Sequence, residues 1–318
     1  MNNYITLDGG TTNTRLQLIK EYQMIDTVRL SIGARNSIDN RPILSEAIKK
    51  GITDLLDRNH TAEQEILKIL ASGMITSEFG LYQIPHVEAP AGKRKLHDNM
   101  QEVYLPHISP IPFVFIPGVK INSPLLSDTD MMRGEETELY GLTLEPAADC
   151  AYILPGSHSK IIYTDAACRI HSFKTMLTGE MIAALSQNTI LKDAVDLKSD
   201  TFTEEMLLSG YEYCKAFGIN EALFKVRILK NLFDRSPRDV YSFFMGIVLC
   251  GEITSILNNA PSKIVIGGRH QIKQAMQFLL SKLSNVSVET ISDAEVLGAT
   301  SKGAIAIYEY VDTCQNLS

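Results

Sequence analysis

Tyr4-Ile5-Thr6-Leu7-Asp8-Gly9-Gly10-Thr11-Thr12-Asn13-Thr14-Arg15 reads as the end of one strand, a turn and the start of the next. A β-branched, apolar run stops at an acid, passes through two glycines and resumes as Arg15-Leu16-Gln17-Leu18-Ile19, the pattern of a β-hairpin. Gly9 and Gly10 allow main-chain amides to approach an anion with no Cβ in the way, and Thr11, Thr12, Asn13 and Thr14 add polar groups around it. Asp8 stands where a carboxylate could hold the shell of Mg²⁺. An ordinary Gly-Gly hairpin turn with a self-capping Asp is the plain alternative, and the turn alone does not separate the two.

The rest of the chain does more. After the hairpin come a third strand (Thr27 to Ile32), an amphipathic helix opened by Asn40-Arg41-Pro42, and a buried strand from Ile66 to Ala71 running into Ser72-Gly73-Met74. Residues 80 to 112 read as a proline-punctuated loop, Phe113 to Ile116 as a strand, and Asp130 to Gly141 as the start of a helix. From Ala151 the order repeats: Tyr152-Ile153-Leu154, the turn Pro155-Gly156-Ser157-His158-Ser159-Lys160, Ile161-Ile162-Tyr163, a third strand over 169–176, then a helix from Thr178-Gly179-Glu180. Such a repeat predicts a duplicated α/β unit, with residues 1–142 and 143–318 as its halves and Glu145-Pro146-Ala147-Ala148-Asp149 as the crossing. Further on, Thr201 and Glu204 form a capping-box pattern and Ser236-Pro237 opens a long apolar helix. A strand ends at Gly267-Gly268, a strand follows at Val286 to Val288, and Asp293 caps a last helix through Ile307. P-loop, G-x-G-x-x-G and H-E-x-x-H patterns are missing, so phosphate binding would rest on the two hairpin turns.

Two turns and a later glycine pair, in this order, match the architecture of sugar kinases, hexokinase, actin and Hsp70. Three blocks narrow the match: Met132-Arg133-Gly134-Glu135-Glu136-Thr137, Pro155-Gly156-Ser157-His158-Ser159-Lys160 and Thr175-Met176-Leu177-Thr178-Gly179-Glu180. They resemble M-R-G-E-E-T, P-G-T-H-x-K and T-x-M-T-G-E of the 2-dehydro-3-deoxygalactonokinase family. The resemblance implies a two-domain actin-like ATPase (ribonuclease H-like) fold, with mixed sheets flanked by helices and an interdomain cleft that closes on substrates. It also implies transfer of the γ-phosphoryl of ATP, with Mg²⁺, to the C6 hydroxyl of 2-dehydro-3-deoxy-D-galactonate. Family members carry tryptophans beside the first turn and in G-M-[IV]-G-S-x-x-G-W. This chain has none, and reads Gly73-Met74-Ile75-Thr76-Ser77-Glu78-Phe79-Gly80-Leu81 at the second place. Another sugar acid or a hexose is therefore an alternative acceptor, and a non-catalytic ligand sensor of the same fold is a further class.

Phosphoryl transfer requires positioning, charge neutralisation and a carboxylate that orients the hydroxyl. Glu135 is the expected base, with Glu136 and Asp130 as runners-up; at a helix start the dipole alone would also favour an acid. Asp8 is expected to hold the metal, and Arg133 to clamp a substrate carboxylate or the moving phosphoryl group. Gly9, Gly10, Thr11, Thr12, Asn13, Gly156, Ser157 and Lys160 would contact the nucleotide phosphates, and Gly267 and Gly268 the adenosine. Gly73, Ser77, Glu136, His158, Thr175 and Thr178 are assigned to the acceptor side, although His158 also reads as a structural turn residue and Thr178 as a helix cap.

Composition bounds the partners. With 318 residues, 45% hydrophobic, 21% charged and a net charge of −7, the chain is long enough for two cores and is not a nucleic-acid binder. Its one dense basic cluster, Lys93-Arg94-Lys95, reads as a solvated loop. No stretch reads as a membrane span or a signal peptide. Five scattered cysteines without metal or disulfide spacing point to a reducing cytoplasm, and Cys250 reads as core. The expected partners are a small sugar acid and ATP, with a homodimer left open.

Overall fold

The computed structural model describes residues 2–38, 41–143, 146–199, 201–268 and 270–311. They form two compact units. The first comprises the described parts of Met1–Ala148, Thr164–Ser172 and Ala294–Ser318; the second comprises Asp149–Tyr163 and Phe173–Asp293. Asn40, Glu145 and Cys314 lie outside the described residues.

In the first unit β1 (Asn3–Gly9), β2 (Thr14–Lys20) and β3 (Gln23–Leu30) make an antiparallel meander, and helix α1 (Arg41–Arg58) leads to β4 (Lys68–Gly73). Next come β5 (Val87–Glu88), α2 (Lys93–Asp98), β6 (Gln101–Val103), β7 (Phe113–Phe115), β8 (Val119–Ile121), β9 (Asp130–Met132) and α3 (Glu135–Leu142). The main sheet has the order β3-β2-β1-β4-β7-β6, with β1, β4 and β7 parallel, and β5-β8-β9 make a small second sheet.

The second unit opens with β10 (Cys150–Leu154), β11 (Ser159–Thr164) and β12 (Ile170–Met176). Four helices follow: α4 (Thr178–Asn188), α5 (Glu204–Phe217), α6 (Ile219–Asn231) and α7 (Pro237–Asn259). After them come β13 (Lys263–Ile266), α8 (His270–Leu283) and β14 (Ser287–Thr290), before α9 (Asp293–Tyr308) ends the order. Its sheet, β12-β11-β10-β13-β14, places a parallel strand beside a meander just as β3-β2-β1-β4 does. The repeat read from the sequence is thus a repeat of topology.

The units differ from a single division at residue 142 because α9 packs into the first. Gly141 and Gly303 allow α3 and α9 to touch: a Cβ at Gly141 would overlap the Ala299 carbonyl, and one at Gly303 the Thr137 carbonyl. Ser301 adds a buried bond to Thr6 at 2.5 Å. A close helix crossing depends on facing residues far apart in sequence, which a linear reading does not pair.

Other expectations also give way. The loop expected over 80–112 contains β5, α2 and β6, and Lys93-Arg94-Lys95 forms the first turn of α2. Asp130 begins strand β9 rather than a helix; Gly134, at φ +114°, breaks the chain direction before α3. Thr203, not Thr201, precedes α5, and its hydroxyl donates to Asp239 at 2.8 Å. Helix α7 is long and apolar enough to cross a bilayer, contrary to expectation, but most of it is buried as the core of the second unit. Ser236 caps it as expected, accepting from the Asp239 amide at 3.2 Å. Cys150, Cys168, Cys214 and Cys250 are free thiols, and Cys250 is buried.

Candidate active site

The site of the first unit lies at the carboxyl ends of β1 and β4, the end of a parallel pair where α/β sheets bind ligands. Three backbones meet there. A Cβ on Gly73 (φ +80°) would sit 2.5 Å from the Gly9 carbonyl oxygen, and one on Gly134 would press the Gly73 Cα at 3.1 Å. No other residue lets the ends of β1, β4 and α3 approach this closely. This packing brings Asp8, Ser72 and the first turn of α3 to one place.

Within the first hairpin, the Gly10 amide donates to the Asn13 carbonyl at 2.8 Å, closing the turn. The Gly10 and Thr11 carbonyls accept from the Ala34 and Arg35 amides at 3.1 and 2.9 Å. Thr11, Thr12 and Asn13 are exposed, and among the described residues the Thr11 and Thr12 amides have no acceptor. The turn's carbonyls are tied back and its free amides face outward, which is the polarity an anion requires.

Asp8 pairs with Arg15 across the hairpin, Oδ2 to Nη2 at 2.8 Å, at the register position directly opposite. Its carboxyl is pushed above the usual range by desolvation, against the pull of Arg15. Arg15 is held in turn by the Leu297 carbonyl and the Thr300 hydroxyl, both at 3.3 Å. Glu138, one turn beyond Glu135, is pushed up to about 7 by desolvation, then by the charges of Asp8 and Glu135. Three carboxylates thus share one region with the Arg15 guanidinium. Among the described residues no three such side chains form a ready metal cage. Mg²⁺ is typically held by one or two carboxylates together with substrate phosphates, and desolvated Asp8 beside Glu138 fits that donor set. Glu138 was missed from sequence, although its spacing from Glu135 puts it on the same helix face.

The M-R-G-E-E-T block divides its labour. Glu135 is half-buried and accepts from the Arg133 amide at 3.0 Å. Glu136, expected to touch substrate, is 0% exposed. Both its oxygens accept from the Gly134 amide, at 2.8 and 3.0 Å, and burial raises its carboxyl to about 8. It fixes the Gly134 turn. Arg133 is turned inward as well: Nη1 donates to the Thr76 carbonyl at 2.9 Å and to its hydroxyl, and Nη2 to the Ile84 carbonyl and His86 Nδ1, each at 3.1 Å. His86, held near 4 by burial and the Arg133 charge, is neutral and accepts through Nδ1. Arg133 therefore braces the 73–86 loop, in place of the expected clamp on a ligand. Ser77 caps its own turn, donating to Met74 at 2.7 Å, and Asp130 accepts from the Met131 amide at 2.7 Å.

In the second unit the turn exposes Gly156 and Ser157 and buries Ser159 and Lys160. Its Ser157 carbonyl accepts from the Glu180 amide at 3.2 Å, and His158 Nε2 lies 3.1 Å from Glu180 Oε1 at the surface. A Cβ on Gly179 would strike the Gly156 carbonyl, so α4 begins against the turn. Thr178, expected on the acceptor side, is buried and donates to Glu252 at 2.6 Å. Thr175 is half-buried on β12. Beyond β13, the Gly267 amide donates to the Ile153 carbonyl at 2.8 Å; Gly268, at φ +75°, abuts Pro155. Next to the first turn of α8 is a small cavity of about 10 Å³, lined by Phe202, Tyr241, Met245, Gln271, Gln274 and Ala275 among others. These lining residues escaped the sequence reading because they come from three separate elements.

A repeated meander-plus-parallel-strand unit with an exposed turn at the same place in each copy defines an actin-like ATPase fold. The Clostridium difficile activator of 2-hydroxyisocaproyl-CoA dehydratase, a structure with bound ADPNP, shares it: 13% identity, 99% of this chain and 98% of that one, TM-score 0.53. The chain belongs to the 2-keto-3-deoxy-galactonokinase family, whose model matches residues 8–303. A Sinorhizobium meliloti structure provisionally named as a 2-dehydro-3-deoxygalactonokinase protein is similar over 98% of both chains, with a TM-score of 0.76 and 21% identity. "Probable 2-dehydro-3-deoxygalactonokinase DgoK1" of Rhizobium meliloti (strain 1021) is 28% identical over 202 residues. That alignment spans 63% of this chain and 61% of the relative.

Proposed function

We propose that the protein is an ATP-dependent sugar-acid kinase that phosphorylates the C6 hydroxyl of 2-dehydro-3-deoxy-D-galactonate. The observation that carries this reading is the convergence of Asp8, Glu135 and Glu138 at the ends of β1, β4 and α3, in a chain whose family match covers residues 8–303. Glu135, partly exposed like Asp8 and Glu138, opens α3 at this place. It orients the acceptor hydroxyl and takes its proton late, as a loose transition state requires. The Thr11 and Thr12 amides offer donors to phosphate oxygens, and Gly156 and Ser157 supply the exposed backbone of the second turn. Gly267 and Gly268, with no Cβ in the way, would let the backbone pass flat against a planar base. Mg²⁺, bound through Asp8 and Glu138, would neutralise charge on the phosphates. Arg15 holds Asp8 in place.

The test is a coupled ATP assay with a panel of keto-deoxy sugar acids and hexoses. Turnover highest with 2-dehydro-3-deoxy-D-galactonate, and a product phosphorylated at C6, supports the reading. Preference for another acceptor moves the assignment within the class, a change consistent with Leu81, partly buried against the core, standing where the family pattern has tryptophan. ADP-independent ligand binding without turnover of any acceptor refutes a kinase.

A further inference from the structure

Helix α7 is the core of the second unit: Phe243, Phe244, Ile247, Val248, Ile253 and Ile256 are all buried along it. One charged residue breaks the pattern. Glu252 is 2% exposed, and its two oxygens are divided between two elements. Oε1 accepts from the Ser159 hydroxyl at 2.5 Å and Oε2 from the Thr178 hydroxyl at 2.6 Å. Ser159 opens β11 at the end of the second turn, and Thr178 opens α4, whose Gly179 packs on that turn.

We infer that Glu252 is a positioning residue for the second turn: its carboxyl group ties Ser159, which follows residues 155–158, and the start of α4, which packs on them, to the helical core, holding the turn's amides at a fixed place for phosphate. This rests on the reading of that turn as a phosphate contact.

Three points carry it. Burying a carboxylate in an apolar helix costs several kcal/mol of desolvation, so packing alone would favour a leucine or methionine here. Two hydroxyls from separate elements converge on this one carboxyl group, at 2.5 and 2.6 Å, one on each oxygen. Burial raises the Glu252 carboxyl while both hydroxyls oppose it, and no cation contributes. Among the described residues, holding two hydroxyls is thus the polar work the group does. A carboxylate is suited to it because it accepts at both oxygens; an amide can accept at one alone.

The experiment compares Glu252→Gln, Thr178→Val and Thr178→Ser with the wild-type chain. It measures KM for ATP, kcat, Kd for a non-hydrolysable ATP analogue, and Tm. Glu252→Gln and Thr178→Val should weaken ATP by about tenfold in both KM and Kd, with kcat at saturation within a few-fold. Thr178→Ser, which keeps the hydroxyl, should restore wild-type values. A lowered Tm with unchanged KM and Kd would make Glu252 a stability residue and overturn the inference. Gly179→Ala separates the two readings, since its Cβ displaces the turn directly. Weakened ATP binding in Gly179→Ala with wild-type binding in Glu252→Gln overturns the role of Glu252 alone. Wild-type binding in both removes the turn from phosphate recognition, and this inference with it.

Discussion

The two hairpins share a topology and differ in charge. The first carries Asp8 in its strand, paired with Arg15, and gathers Glu135 and Glu138 beside it. The second has no acid in its turn; its carboxylate, Glu252, lies beneath, on a helix, and touches only hydroxyls. One copy of the unit is thus equipped to manage charge and protons, the other to hold a backbone in place. A duplicated fold repeats its hydrogen-bonded frame, because strand pairing is indifferent to most side chains, whereas chemistry depends on a few atoms that each copy supplies separately.

The sharpest way to break that contrast is to remove acids from the first unit. Glu135→Gln should lower kcat by about 10² to 10⁴ with little change in KM for ATP, measured in the coupled assay. Asp8→Asn should cost on the order of 10² in kcat/KM and raise the Mg²⁺ concentration needed for half-maximal rate. Wild-type turnover in both would move the chemistry elsewhere. Next in size is packing: Gly303→Leu forces α9 off α3 and should destabilise by about 1–3 kcal/mol, read as a fall in Tm.

A pH series sharpens the comparison further. Glu136, raised to about 8 by burial, keeps a proton in the fold that the unfolded chain has released above its ordinary value of 4.5. Stability therefore falls as pH rises from about 4.5 towards 8 and is level beyond. Glu136→Gln should remove that slope in urea titrations at several pH values; an unchanged slope would assign it to other groups. The smallest effect belongs to the second turn's surface: His158→Ala, which loses only an exposed contact to Glu180, should change kcat/KM by less than about threefold.

Much of this was legible in the sequence. The Tyr4–Arg15 and Tyr152–Tyr163 runs declare strands and turns through alternation and glycine, both local signals, and the repeat followed from their order. The block at Met132 pointed to Glu135 by resemblance. What failed were expectations of direction. Arg133 and Glu136 were read as ligand contacts because their types suit it, yet one braces the 73–86 loop and the other caps Gly134. Thr178, assigned to the acceptor side, instead donates to Glu252.

Sequence by itself determined the two hairpins, the parallel strands that join them, the duplicated α/β plan and the family, since each depends on residue type and spacing along the chain. Tertiary structure alone decided that α9 belongs with the first unit, that Glu138 joins Asp8, and that Glu252 reaches Ser159 and Thr178. Those are contacts between residues up to about three hundred positions apart, set by which faces the helices and strands bury, and no periodicity in one segment encodes its partner in another.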